Sequence, residues 1–216
     1  MNELKLDYFI SKDKKIYQHP DHFHFNTDTK LLAQFLKVKK NERVLDIGTN
    51  NAALLYACDD VDVKELVGVE ILEEACQIAQ MNTQFFKHDI RIVHSRIQDF
   101  EDEEFDVIVS NPPYFKMDAT HPDIQYTLRQ YGRVEINLSL EELIKNAARL
   151  LKSNGRFYFV HRPNRLNEIA HFLFQYNFHI KSLQIAYDRN IAKSILIEAI
   201  KESNCDCNIL QPLFIK

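Results

Sequence analysis

From residue 42 onward, short apolar runs alternate with longer segments of helical period, and this alternation is the strongest constraint on the fold. "ERVLDIG" (42–48), "KELVGVEI" (64–71), "IRIVHS" (90–95), "EFDVIVS" (104–110) and "GRFYFVH" (155–161) read as strands. Between them lie "NAALLYAC", "LEEACQIAQMNTQFF" and "SLEELIKNAARLL", whose apolar positions recur three and four apart. Ser139 with Glu142 three residues on is a capping box opening the last of these. "PNRLNEIAHFLFQY" is a further helix, with Pro163 near its first turn. "IKSLQIAY" and "KSILIEAIK" are two closing strands near enough to pair antiparallel. The pattern predicts an α/β fold: a Rossmann-like, seven-stranded, mostly parallel sheet with helices on both faces and an antiparallel C-terminal edge. In such sheets ligands bind outside the carboxyl ends of the strands.

The bulk numbers bound the rest. The 216 residues, 45% hydrophobic, suit a single domain with a full core. No apolar stretch approaches the roughly 18 residues of a membrane span, and the N-terminus lacks the apolar centre of a signal peptide, so a cytoplasmic location is expected. The net charge is −4, so a nucleic-acid partner has to meet a local basic patch. The four cysteines show no CxxC spacing, and neither "CDC" (205–207) nor "HPDHFH" (19–24) offers a convincing metal site, so no metal is expected. Residues 1–26 read as a lid-like N-terminal segment, and 114–138 as a mobile substrate loop, long for a connection in a compact domain.

The strand ends carry the chemistry. After the first strand, Asp46 and Gly48 begin "DIGTNNAA", where Asn50 can take the left-handed conformation otherwise left to glycine. A dinucleotide fingerprint would need two further glycines, so a ligand without phosphates fits better. Glu70 ends the second strand, 24 residues after Asp46, near the place where an acid grips ribose hydroxyls. Ile71 and, after the third strand, Ile97 offer apolar walls for a flat ring, with Asp99 as a polar partner.

The fourth strand ends in "SNPPYF" (110–115). Two prolines stop a ladder and fix their own φ, and the first holds Asn111 extended. The stiff loop presents the Asn111 side-chain oxygen, the Pro112 carbonyl and the Tyr114 ring. An amide oxygen and a carbonyl accept two N–H bonds and give no proton, which suits an exocyclic amine. An aromatic ring adds a face on which a base can stack.

Asp46-x-Gly48, Glu70 and Asn111-Pro-Pro-Tyr114, in this order and spacing, resemble the class I S-adenosylmethionine-dependent methyltransferases that act on amino nitrogens. "FHFNTDTKLLAQF" (23–35), "FDVIVSNPPYF" and "EINLSLEELIKNAARLLKSNGRFYFVHRP" extend the likeness to the bacterial tRNA1(Val) adenine-37 N6-methyltransferase family, over about residues 7 to 201. The resemblance implies methyl transfer from S-adenosylmethionine, leaving S-adenosylhomocysteine, to adenine N6 in the anticodon loop of a tRNA. It implies no metal, no membrane and no obligate protein partner. Thr27 and Asp28 would approach the methionine moiety, and Asp46 and Gly48 would line the aminoacyl side. Glu70 would hold the ribose, and Ile71 and Ile97 would sandwich the cofactor's adenine. Asn111 would sit beside the cofactor and, with Pro112 and Tyr114, carry the reaction, with Pro113 and Phe115 flanking the base. Arg133, Arg162 and Arg165, after the fourth and fifth strands, are the favoured RNA contacts; the "KVKKNER" run (37–43) precedes the first strand and reads as a solvated face. Two alternatives stay open: a ribosomal guanine-N2 methyltransferase, and an RNA-binding module on a lapsed methyltransferase fold. The single glycine of the turn and Arg96, where many relatives have an acid, are departures from the family pattern.

Overall fold

The computed structural model describes residues 4–20, 24–116 and 134–215. Helices lie on both faces of one large sheet, as the alternation requires. Its centre is β3 (Arg43–Ile47), β4 (Glu65–Glu70), β5 (Ile90–His94), β6 (Phe105–Ser110) and β7 (Leu151–His161), all mutually parallel where they pair. Every residue of β3 is buried, as a strand covered on both faces must be. β8 (Phe178–Asp188) and β9 (Ile191–Lys201) complete the seven strands. The spatial order is β8-β9-β7-β6-β3-β4-β5. β9 is antiparallel to both β7 and β8, so the antiparallel strand lies inside β8 rather than at the edge. Two short strands that the sequence pattern does not reveal, β10 (Asn208–Ile209) and β11 (Leu213–Ile215), pair parallel with the outer side of β8.

One face packs α4 (Leu140–Leu150) and α5 (Leu166–Gln175) through Leu143, Ile144, Leu150, Ile169 and Leu173. The other packs α1 (Thr27–Phe35) and α2 (Ala53–Cys58) through Leu32, Leu54, Leu55 and Cys58. α3 (Glu73–Asn82) covers the side of β4 and β5. The capping box at Ser139 and Glu142 is present in both directions, and a second, at Asn26 and Thr29, opens α1. Among the described residues no helix is long and apolar enough to cross a membrane.

The N-terminal segment is an antiparallel hairpin, β1 (Lys5–Tyr8) with β2 (Lys15–Gln18). Phe9 and Ile16 pack on Ala53, and Lys14 Nζ donates to the Tyr56 carbonyl at 2.6 Å. The fully buried Asn82 side chain bonds both the N–H and the carbonyl of Tyr17 and donates to the Asn51 carbonyl at 3.0 Å. The hairpin is thereby tied to α2, to α3 and to the turn after β3.

Parallel register then aligns the strand ends. Asp46 stands level with Gly68 on β4 and Val109 on β6, so Gly48, Glu70 and Asn111 emerge along one rim.

Candidate active site

The turn from β3 into α2 is wound by three left-handed residues: Gly48 (φ +72°), Asn50 (φ +50°) and Ala52 (φ +65°). Glycine meets the first at no steric cost and asparagine tolerates the second; Ala52 does neither. Gly48 and Thr49 both donate backbone N–H to the Val69 carbonyl, at 2.9 and 3.1 Å. Glu70 braces the same turn: it accepts from the N–H of Asn50 at 2.9 Å, and from those of Ile71 and Leu72 at 2.9 and 3.0 Å. Burial pushes the Glu70 carboxyl up while these three N–H groups oppose the rise.

Asp46 is 1% exposed, and neither carboxylate oxygen has a hydrogen-bond partner. Burial first, and then the charge of Glu70, push its pKa up to about 7 against the pull of the nearby Thr49 hydroxyl. The Thr49 hydroxyl and the Asn51 amide nitrogen are also buried and unpartnered. Orphaned buried polar groups are rare and costly. Here Asp46, Thr49 and Asn51 all line a single cleft of about 130 Å³, where a ligand rich in hydroxyls and N–H groups meets their needs. Ile71, Leu72, Ala75, Leu54 and Phe25 give the same cleft its apolar lining. Ile97 lines a smaller adjoining cavity of about 50 Å³, which shares Ile47, Gly48, Ile71, Asn137 and Leu138 with the main cleft. Two buried acids, Asp46 and Glu70, together with this apolar lining in one cleft, fit an amino-acid-bearing nucleoside such as S-adenosylmethionine. Among the described residues no group of three or more His, Cys, Asp and Glu side chains is placed to hold a metal.

Asn111, Pro112 and Pro113 form part of the same cleft wall. The Asn111 amide nitrogen donates to Thr29 Oγ1 at 2.9 Å, and Thr29 is itself held by the α1 capping box. Because the Thr29 hydroxyl donates its proton to Asn26 Oδ1 at 3.3 Å, it accepts from the Asn111 nitrogen, which leaves Oδ1 as the acceptor end of the amide. Oδ1 also accepts from the Tyr114 hydroxyl. Thr29 and Asn51 are site residues that strand-end reading missed. The Asn26-x-x-Thr29 spacing, legible as a capping pair, was the available signal for the first.

Several expected positions fall elsewhere. Tyr114 does not offer its ring to the cleft. It is 6% exposed, with the Arg162 guanidinium 4.3 Å over the ring and the His161 ring edge-on at 5.3 Å. Phe115, half exposed, is the outward aromatic among the described residues of this loop. Thr27 is exposed at the start of α1, and Asp28 turns away from the cleft. The Asp28 carboxylate pairs with Arg162 at 3.1 Å and accepts from the Ser194 hydroxyl. Arg162 and Arg165 are engaged internally rather than held out toward a partner. Arg162 also donates to the Lys193 carbonyl and Ser194 Oγ. Arg165 bonds Glu135 at 2.7 Å, Glu168 at 2.8 Å and the Tyr114 carbonyl at 3.2 Å. Asp99 and Arg96 face each other at 4.0 Å on the surface. Arg133, and residues 117–133 of the expected mobile loop, lie outside the described residues.

The family profile of the methyltransferase small domain matches residues 15–178. A tRNA1(Val) (adenine(37)-N6)-methyltransferase of Bacteroides thetaiotaomicron is 38% identical over 142 residues, covering 62% of this chain and 57% of that protein. The protein of the same name from Tolumonas auensis is 33% identical over 138 residues, with the same two coverages. The chain thus matches under three fifths of the length of these relatives. Among solved structures, a ribosomal protein L11 methylase from Lactobacillus delbrueckii subsp. bulgaricus superposes with a TM-score of 0.62 at 19% identity, covering 85% of this chain and 83% of that one. An M. jannaschii tRNA m1G37 methyltransferase does so with a TM-score of 0.68 at 14% identity, over 92% of this chain and 56% of that one. At these identities the likeness is one of fold.

Proposed function

The chain belongs to the methyltransferase small domain family, and from that premise we propose that it transfers a methyl group from S-adenosylmethionine to the exocyclic N6 of an adenine in tRNA. The observation that carries this reading is the Asn111 amide. Its nitrogen donates to Thr29, and its oxygen, met by the Tyr114 hydroxyl on one lone pair, keeps a second one for a substrate at the rim of a cleft that also holds the unpartnered Asp46. The names of the relatives favour adenine over other bases, and adenine 37 of tRNA1(Val) as the finer assignment.

S-adenosylmethionine supplies a methyl group already activated on sulfonium, so the residues of the chain need to bind, orient and accept. Asp46, Thr49 and Asn51 offer the polar contacts for its aminoacyl and ribose groups. Ile71 and Leu72 pack the adenine end, with Ile97 beyond them. Asn111 Oδ1 and the Pro112 carbonyl accept the two N6 hydrogens of the target. Acceptance of both hydrogens favours a more tetrahedral nitrogen and turns its lone pair toward the methyl. Neither acceptor takes the proton, which leaves to water after transfer. Among the described residues of the loop, Phe115 is exposed and available to flank the base.

The test is direct. The protein is incubated with labelled S-adenosylmethionine and unmodified total tRNA, the RNA is digested, and the labelled nucleoside is identified. N6-methyladenosine is expected; N2-methylguanosine, or no labelled nucleoside, would overturn the proposal.

A further inference from the structure

We propose that Tyr114 acts through its hydroxyl, as a positioning residue that locks the Asn111 amide, and that Arg162 and Asp28 hold it in that task. The inference rests on the reading of Asn111 Oδ1 as the amine acceptor. A carbonyl oxygen has two lone-pair directions. The Tyr114 hydroxyl takes one of them, and Thr29 takes the nitrogen at the other end of the same amide. Thr29 gives its own proton to Asn26 Oδ1 at 3.3 Å and so accepts from the Asn111 nitrogen, while Tyr114 donates to the oxygen. The amide is thereby restrained in one orientation, with its remaining lone pair in place when a substrate amine arrives.

The tyrosine is built in from elements far apart in sequence. Its ring lies under the Arg162 guanidinium and against the edge of His161, both at the end of β7. Arg162 is in turn fixed by Asp28 on α1 and by the Lys193 carbonyl and Ser194 hydroxyl on β9. Arg165 holds the backbone of the same residue through the Tyr114 carbonyl. Burial, and then the Asp28 charge, push the Tyr114 phenol well up, so it keeps its proton and remains a donor. The fully buried His161 is pushed down to about 3, chiefly by burial and by Arg165, and stays a neutral neighbour.

A ring that stacks on the substrate and a hydroxyl that locks an amide respond in opposite ways to Tyr114→Phe, which keeps the ring and removes the hydroxyl. The expected result is a kcat for tRNA methylation about five- to tenfold lower, the effect of one orienting hydrogen bond, with KM for tRNA shifted less than kcat. Arg162→Lys, which keeps the charge beside Asp28 and loses the planar contact with the ring, is expected to lower kcat in the same sense. The double variant is expected to lose little beyond Tyr114→Phe, because both act through one amide. Full kcat in Tyr114→Phe, or additive losses in the double variant, would overturn the proposal. A readout that needs no turnover separates this inference from the functional reading. The Asn111 side-chain amide should give two sharp, slowly exchanging proton–nitrogen resonances in the native protein and broadened ones in Tyr114→Phe. An unchanged amide spectrum would contradict the lock, whereas the expected spectrum with no labelled nucleoside from tRNA would contradict only the assigned reaction.

Discussion

At the scale of the residue, Asp46 holds the largest store of unmet chemistry. Its carboxyl titrates near 7 in the folded protein, against about 3.9 in an unfolded chain. Between those values the folded state keeps a proton that the unfolded state has lost. The contribution of this group to stability is therefore undiminished below about pH 4 and falls as pH rises toward 7, by a few kcal/mol at most. Ligand-free Asp46→Asn should accordingly melt higher than the native protein at pH 8, with a smaller difference in Tm between pH 6 and pH 8. An equal pH dependence in the two proteins would mean that the carboxylate is ionised throughout. Asp46, Glu70 and Asn111 were legible in the sequence because each ends an apolar strand in a sheet whose ligand side is known in advance. Thr29 and Asn51 were not, since one opens a helix and the other lies within a turn. The inward turn of Tyr114 was beyond reach for a further reason: it depends on Arg162, Asp28 and Ser194, brought together only by the folded sheet.

At the scale of the element, the buried strands declared themselves and the exposed ones did not. β3, β4 and β6 are apolar runs closed by an acid or by "NPP", and their observed bounds fall within one residue of the predicted ones. β1, β2 and β10 are two to four residues long, too short for their period to be read. The antiparallel pairing of β8 and β9 followed from their short separation, but the insertion of β9 beside β7 is set by packing between faces. The turn after β3 was read with Asn50 in the left-handed region, as found, while the third left-handed position proved to be Ala52. A non-glycine residue there costs about 1–2 kcal/mol, and Ala52 also opens α2 without a side-chain cap. Ala52→Gly should therefore raise stability by about 1 kcal/mol, after the entropy that glycine adds to the unfolded chain is set against the relieved strain. Chemical denaturation would check it, and a loss of stability would show that the packing of the Ala52 methyl outweighs its backbone cost.

At the scale of the whole molecule, the net charge of −4 means that the proposed tRNA substrate would have to be met by local cations. Arg165 is 10% exposed and bridges two glutamates, so it supports the loop after β6 from within. Arg165→Met is expected to cost about 3 kcal/mol of stability, the usual penalty for stranding a buried charge, and to leave the salt dependence of tRNA binding unchanged. A salt slope shallower by about one would return Arg165 to the RNA interface. The same sheet that hides these arginines brings a cofactor-shaped cleft and a neutral acceptor to one rim, and catalysis by the assembled molecule hangs on that conjunction. Single-turnover methylation of tRNA by Asn111→Ala, beside its affinity for S-adenosylmethionine, tests the conjunction most directly. A rate at least about a hundredfold lower, in keeping with the loss of one preorganised partner to a reacting group, is predicted with cofactor affinity changed only a few-fold. A near-native rate would contradict the role given to the amide.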